Sequence, residues 1–323
     1  MSKAVRIHKN GGPEVLSYED VGTAAPGAGQ VLLRQTAIGL NYIDVYHRTG
    51  LYPLELPATI GTEAAGIVEQ VGDGVTQLAE GDLVAYAPAI GAYAEYRTIA
   101  ADRVVRVPEG IDAKQAAAMM LQGMTVEYLV RRTYRVSAGE TVLLHAAAGG
   151  VGLIACQWLK HLGAIVIGTV GSEEKAELAR AHGCAHTINY REEDIAARVR
   201  EITDGKGVPV VYDSVGKDTY TASLDSLQPL GMFVNFGNAS GPAPDVSPAL
   251  LAQKGSLYFT RPTLMTYNAR REDLEASAAA LFEVVRAGAV KIKIGQTYRL
   301  AEVAQAHRDL EARKTTGSTV IMP

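Results

Sequence analysis

Residues 138–175 read AGETVLLHAAAGGVGLIACQWLKHLGAIVIGTVGSEEK. The apolar run Thr141–His145 leads into small residues, then a helix-period pattern, then a second apolar run. That order predicts strand, tight turn, helix and strand, with the turn at 146–152. The turn holds Ala147-x-Gly149-x-x-Gly152, a dinucleotide fingerprint with alanine in place of its first glycine. Small residues let the backbone turn sharply and approach a pyrophosphate, which sits at the helix N-terminus among unpaired N–H groups. Val151, Ile154, Ala155, Trp158, Leu159 and Leu162 fall at helical spacing and form one stripe for burial. An isolated glycine motif of this kind also serves simple strand–helix packing. Its position between a strand and an amphipathic helix favours the nucleotide.

Outward from this stretch the alternation continues. Strands are predicted at 141–146, 164–169, 186–189, 208–213, 231–236 and 256–261, with helices at 151–162, 173–182, 192–203, 217–227 and 247–253. This is the pattern of a doubly wound parallel α/β sheet. The first third instead shows short strand-like runs (4–8, 14–20, 31–38, 65–71, 82–86, 93–99 and 103–107) bounded by Gly, Pro or Asp, which fits a small, partly open β-barrel. Asn41–Arg48 predicts a short helix ended by Gly50. Asp112 predicts an N-cap, with helix through Ala118 and again over 119–132 after a break near Gly123. Helices over 271–287 and 301–313, with strands near 291–298 and 318–322, return the chain to its first domain. The expected organisation is a catalytic domain of 1–122 plus 264–323 and a nucleotide-binding domain of 123–263.

With 323 residues, 47% hydrophobic and 20% charged, the chain has the size and composition for two globular cores. A formal net charge of -4 argues against an electrostatic nucleic-acid or membrane binder. The two cysteines, Cys156 and Cys184, make no disulfide framework and fit a reducing compartment. No signal-peptide core and no stretch of membrane-spanning length is present, so a cytoplasmic location is expected.

The end of the second nucleotide-domain strand bears on the choice of cofactor. An NAD-type site places an acidic residue there for the ribose 2′-hydroxyl. Here the strand ends Thr169-Val170-Gly171-Ser172, followed by Glu173, Glu174 and Lys175. Gly171 gives backbone access, Ser172 a hydroxyl, and Lys175 a positive charge for a 2′-phosphate, while Glu173 and Glu174 favour the start of the next helix. The expected cofactor is NADPH.

Five segments together resemble the zinc-free quinone oxidoreductase, or zeta-crystallin-like, group of medium-chain dehydrogenases/reductases. They are GGPEVL at 11–16, AIGLNYIDVYHRTGLYP at 37–53, GTEAAGIVEQVG at 61–72, HAAAGGVG at 145–152 and VVYDSVG at 210–216. The resemblance implies a GroES-like catalytic domain built from both chain ends, a Rossmann domain inserted between them, and a cofactor in the intervening cleft. It also implies a homodimer formed through Rossmann edge strands, for which 256–261 is the candidate. Residue by residue it places Asn41 and Tyr46 near the nicotinamide and, with Tyr52, in the substrate segment. Thr125 and Tyr128 lie beside the cofactor, Gly149, Gly150 and Val151 face the pyrophosphate, and Gly171, Ser172, Lys175 and Tyr190 surround the adenosine phosphate. Phe236, Gly237 and Asn238 follow the fifth sheet strand, and Arg261 and Arg313 are further cofactor candidates outside the quoted motifs. Each of these residues also has a plainer role open to it: Tyr46 packing on the barrel, Tyr190 covering the sheet edge, Asn41 capping its helix.

Zinc-dependent relatives carry Cys where this chain has Asn41 and His where it has Thr62, and the seven histidines form no ligand set. The expected reaction is therefore zinc-independent reduction of an electrophilic quinone by NADPH, with Tyr46 the candidate proton donor. Two alternatives remain open: a reductase of alkenal or enone double bonds, and, in another class, a structural or RNA-binding crystallin-like protein.

Overall fold

In a computed structural model, residues 2–323 are described, and the chain forms two compact units. One contains the residues up to Met124 together with Asn268–Arg286 and Ile292–Pro323. The other contains Thr125–Tyr267 and Ala287–Lys291.

The second unit is built on a six-stranded, wholly parallel sheet. Its strands are Thr141–Leu144, Ile165–Val170, His186–Asn189, Val208–Asp213, Leu227–Asn235 and Tyr258–Thr260, lying side by side in the order 3-2-1-4-5-6 when counted along the chain. This is the doubly wound order whose reversal point lies beside the first strand. Leu143, Ile167, Val211 and Phe233 from the sheet and Val199, Tyr220 and Leu224 from the helices make one buried cluster. The predicted helical stripe on Gly150–His161 packs with Ile154, Ala155, Trp158 and Leu159 buried. The fifth strand begins at Leu227, four positions before the predicted start, because Leu230 takes a positive φ of 61° and the register shifts across an irregularity that the local pattern conceals.

In the first unit, Gln30–Leu40 is the organising strand. It pairs antiparallel with Glu63–Val71, with Tyr96–Ala100 and with the late strand Ser318–Met322. Val31, Leu33, Ile38, Ala64, Val68, Val84, Tyr93 and Ile321 are buried together inside this barrel. The short helix runs Tyr42–Thr49, with Asn41 at its N-cap and Gly50 closing it at φ 83°, where glycine meets no Cβ penalty. The helix predicted to break near Gly123 instead runs unbroken over Met120–Tyr128, and the interruption falls earlier, after Ala113–Ala117. Gly123 is required there for close packing, since a Cβ would collide with the side chain of Leu281. The last turn, Leu129–Thr133, is wound as a π-helix. No helix among the described residues is long and apolar enough to cross a membrane.

Candidate functional site

In the second unit, the first strand ends in a turn that the sequence makes unusually tight. Ala146 takes φ 55°, and Gly149 caps the helix Gly150–His161 in an extended conformation. Gly152 cannot carry a side chain, because its Cβ would collide with the carbonyl oxygen of Ala146. The first helical bond closes from Leu153 N to Gly149 O at 2.9 Å, so the amides of Gly150, Val151 and Gly152 precede it at the positive end of the helix. These are the donors that an anionic pyrophosphate needs.

At the end of the neighbouring strand, Ser172 caps the helix Glu173–Ala181, its hydroxyl accepting from Lys175 N at 3.3 Å. A Cβ on Gly171 would stand 2.5 Å from the hydroxyl of Tyr190, so the phenol lies directly over that glycine. Gly171, Ser172, Lys175 and Tyr190 thus form one surface beside the fingerprint turn. Glu173 is drawn to Arg180 on its own helix. Beyond the fifth strand, Phe236 N donates to Asp213 O at 2.8 Å, and Gly237 passes so close to Ser214 that only hydrogen fits. Asn235, whose amide donates to Gly237 O at 3.1 Å, fixes the path of Phe236, Gly237 and Asn238.

Thr125 and Tyr128 belong to a different part of this unit. The Tyr128 ring stacks on Tyr267 at 4.4 Å between centroids and 11° between planes, and Arg132 lies over the far ring at 5.0 Å. Burial pushes the Tyr128 phenol above its ordinary value, while the charge of Arg261 and a hydrogen bond with Thr125 oppose the shift. Thr125, Tyr128 and Arg261 are therefore one neighbourhood.

Beneath the fingerprint turn lies a fully buried polar set that the sequence reading missed. His145 bridges Thr169 Oγ1 at 3.1 Å and Ser223 Oγ at 3.0 Å. The Ser223 hydroxyl donates to Asp213 Oδ2 at 2.9 Å, and Asp213 Oδ1 accepts from the amides of Val215 and Gly216 at 2.7 and 3.0 Å. Burial lowers the His145 pKa, opposed by the Asp213 charge, so the ring is held neutral as a connector. Thr169 passes this support to the turn by accepting from Ala146 N at 3.3 Å. The two cysteines, distant in sequence, are buried free thiols, Cys156 directed at the carbonyl of Ala147 and Cys184 at that of His186.

In the first unit, Tyr42, Tyr46 and Tyr52 form an aromatic group, with Tyr46 6.0 Å from Tyr42 and 5.2 Å from Tyr52 between centroids. Tyr52 N donates to Tyr46 O at 3.1 Å, which holds the following loop against the helix. Arg313 stands apart from the fingerprint turn in sequence and in unit, as an exposed residue with φ 58° whose charge acts on Tyr42.

Asn41 does not use its side chain to cap the helix; that chain turns inward. Its Nδ2 donates to Glu63 Oε2 at 2.6 Å, and its Oδ1 accepts from Gln122 Nε2 at 3.1 Å. Asp44 secures the helix start, accepting at Oδ2 from Asn41 N at 2.9 Å and from the Tyr93 hydroxyl at 3.0 Å, and at Oδ1 from the Thr62 hydroxyl at 2.9 Å. Both carboxyls are completely buried, and burial raises Asp44 to about 6 and Glu63 to about 8. At the far end of the helix, Arg48 reaches Glu311 with both terminal nitrogens at 2.9 and 2.8 Å.

The comparisons with known proteins meet this geometry on one point of conflict. Residues 27–109 match the alcohol dehydrogenase GroES-like domain, and residues 150–283 match the zinc-binding dehydrogenase family. A catalytic zinc takes three protein ligands from Cys, His and carboxylate groups. At the corresponding place Glu63 is engaged by Asn41 and by Leu121 N at 2.7 Å, and Thr62 donates to Asp44. This donor set does not fit a zinc ion. Among the described residues no group of three or more His, Cys, Asp or Glu side chains could hold a metal.

Individual relatives are closer. The quinone oxidoreductase of Pseudomonas aeruginosa is 55% identical over the full length of both chains. The 2-haloacrylate reductase of a Burkholderia species is 47% identical over 100% of this chain and 99% of its own. The crystal structure of Escherichia coli quinone oxidoreductase complexed with NADPH superposes with a TM-score of 0.98 at 49% identity, covering 99% of this chain and 100% of that one. With the doubly wound sheet, the glycine turn and end-to-end identity of this degree, the chain belongs to the quinone oxidoreductase family of medium-chain dehydrogenases/reductases.

Proposed function

We propose that the protein is an NADPH-dependent quinone oxidoreductase. The observation that carries the reading is the surface of Gly171, Ser172, half-buried Lys175 and Tyr190, set beside a helix N-terminus at which Gly152 admits no side chain. Bound NADPH supplies reducing equivalents. Gly149, Gly150 and Val151 hold the pyrophosphate with backbone amides. Lys175 and Ser172 receive the 2′-phosphate, and no carboxylate stands at the strand end to repel it. Thr125, Tyr128 and Arg261, with Phe236, Gly237 and Asn238, orient the remainder of the cofactor. Asn41, Tyr46 and Tyr52 line the substrate segment, with Tyr46 the proton donor.

Without a Lewis acid the enzyme requires an acceptor that is already electrophilic, and a quinone meets that requirement because reduction restores its aromaticity. A second reading is favoured by the 2-haloacrylate reductase relative, whose named substrate has a carbon–carbon double bond conjugated to a carboxylate. NADPH and NADH oxidation measured in parallel with a benzoquinone, a naphthoquinone, an enal and a simple aldehyde tests both. Quinone turnover with NADPH preference supports the first, enal turnover alone the second, and turnover of the aldehyde alone overturns both.

The sheet ends at Tyr258–Thr260, with Tyr258 58% exposed. This edge supports a homodimer in which two Rossmann sheets continue into one. Light scattering of the wild type and of Phe259→Pro tests it. The cytoplasm is the compartment that NADPH use and the free thiols support.

A further inference from the structure

Four buried side chains in the first unit form a single hydrogen-bond line. Ser318 Oγ donates to Gln122 Oε1 at 2.7 Å, Gln122 Nε2 to Asn41 Oδ1 at 3.1 Å, and Asn41 Nδ2 to Glu63 Oε2 at 2.6 Å. Glu63 Oε1 is filled by Leu121 N at 2.7 Å. Every donor points toward the carboxylate, the arrangement an ionised Glu63 requires. Around that carboxylate, strand Gln30–Leu40 offers only Gly39, whose Cβ position Glu63 itself occupies. The helix Tyr42–Thr49 presents the Asp44 carboxylate, strand Leu83–Tyr86 the Tyr86 phenol with Arg97 over its ring, and helix Met120–Tyr128 the amides of Met120 and Leu121. The nearest charge is thus of the same sign, and no cation touches Glu63 among the described contacts.

We propose that Glu63 is the positioning residue for Asn41, and that a proton taken up by Glu63 reverses the line, turning the Asn41 and Gln122 amides end for end. A proton on Oε2 makes that oxygen a donor, so Asn41 must present Oδ1 to it. The Asn41 Nδ2 then faces Gln122, which must present Oε1, leaving Gln122 Nε2 to donate to the Ser318 hydroxyl oxygen. Leu121 N keeps its acceptor throughout. Each protonation state therefore has one direction in which all links along the line are matched, and mixed directions set donor against donor or acceptor against acceptor. Unmatched buried polar groups are costly, so the two amides move together with the proton, which is exchanged with solvent water. Burial and the neighbouring Asp44 charge raise the Glu63 pKa and place this exchange close to neutrality. The functional consequence rests on the oxidoreductase reading: Asn41, in the substrate segment, offers a different amide face in each state.

Side-chain NMR of the full chain, with labelled Glu carboxyls and Asn amides, tests the reversal. One Glu carboxyl should titrate near pH 8, with the Asn41 amide signals moving at the same midpoint. In Glu63→Gln that titration should vanish, and the Asn41 signals should rest where the low-pH wild type has them, because a Gln amide beside Leu121 N must direct its Nε2 at Asn41. The kcat/KM of the wild type should follow the same midpoint and that of the variant should be flat in pH. A Glu63 carboxyl that stays in one state from pH 6 to 10, or Asn41 signals that ignore it, overturns the proposal even if the variant does not fold, since the wild type alone gives this result. Coupled titration without quinone reduction sustains the reversal and sinks the enzymatic reading.

Discussion

Arg48 Nη1 lies 3.1 Å from His307 Nδ1, and this contact fixes the state of the imidazole. A guanidinium only donates, so Nδ1 must be the unprotonated acceptor. The remaining proton sits on Nε2 and is donated to the Tyr93 oxygen at 3.0 Å, which leaves the Tyr93 hydroxyl to donate to Asp44. Buried Arg48 is thereby linked to buried Asp44 through two neutral groups, all in one direction.

Burial, reinforced by the Arg48 charge, lowers the His307 pKa from 6.5 to about 3. For a depressed pKa the folded state binds fewer protons than the unfolded one between those limits. The stability contributed by neutral His307 is present above pH 6.5 and is lost as pH falls toward 3. The slope is at most about 1.4 kcal/mol per pH unit. Urea unfolding of wild type and His307→Gln between pH 6.5 and 4.5 should show the smaller acid loss in the variant; parallel curves would contradict this assignment.

Glu63 acts with the opposite sign. Its pKa is raised from 4.5 to about 8, so its favourable term is complete below pH 4.5 and disappears as pH rises through about 8. From pH 6.5 to 8 the wild type should lose unfolding free energy, by up to about 1.4 kcal/mol per unit, while Glu63→Gln stays level. An equal decline in both proteins would assign the loss elsewhere.

Asp44 holds three donors, one of them the backbone amide that starts the Tyr46 helix. Asp44→Ala leaves them unmatched in the interior, at about 1–3 kcal/mol each. Thr62→Val removes one donor with its partner intact and should cost about 1–2 kcal/mol. Chemical denaturation should rank the two variants in that order, and a reversed ranking would remove Asp44 as the anchor.

Lys175→Ala should weaken NADPH far more than NADH. A charge-assisted contact is worth about 1.5–3 kcal/mol, or roughly 10- to 150-fold in Kd. Titration calorimetry with both cofactors measures the difference, and equal losses would exclude the 2′-phosphate role.

The nucleotide unit is legible in the sequence because its determinants are local: Ala146–Gly152 encodes turn and helix start within seven residues, and apolar periodicity marks each strand. Local reading fails at Leu230, whose left-handed backbone no pattern announces, and at Gly123, which looks like a break but serves a distant leucine. The polar network of the first unit is illegible for another reason. Asn41, Glu63, Gln122 and Ser318, like Arg48, Tyr93 and His307, meet only after barrel pairing, so spacing carries no trace of them. Glu63 draws attention in the sequence only as the flank of an altered zinc motif, and His307 receives no role there because the histidines form no ligand set.

The strand Ser318–Met322 closes against Gln30–Leu40, and Ser318 ends the line that orients Asn41. During synthesis the residues of the parallel sheet are all made before that strand, so the nucleotide unit can fold on the ribosome while the first unit still lacks an edge. Ile38–Leu40 must stay unpaired along that edge, and Gln122 without its terminal donor, until residues near 320 have left the exit tunnel. Vectorial synthesis therefore imposes an order of maturation, in which the nucleotide unit is ready first and the orientation of Asn41 waits for Ser318.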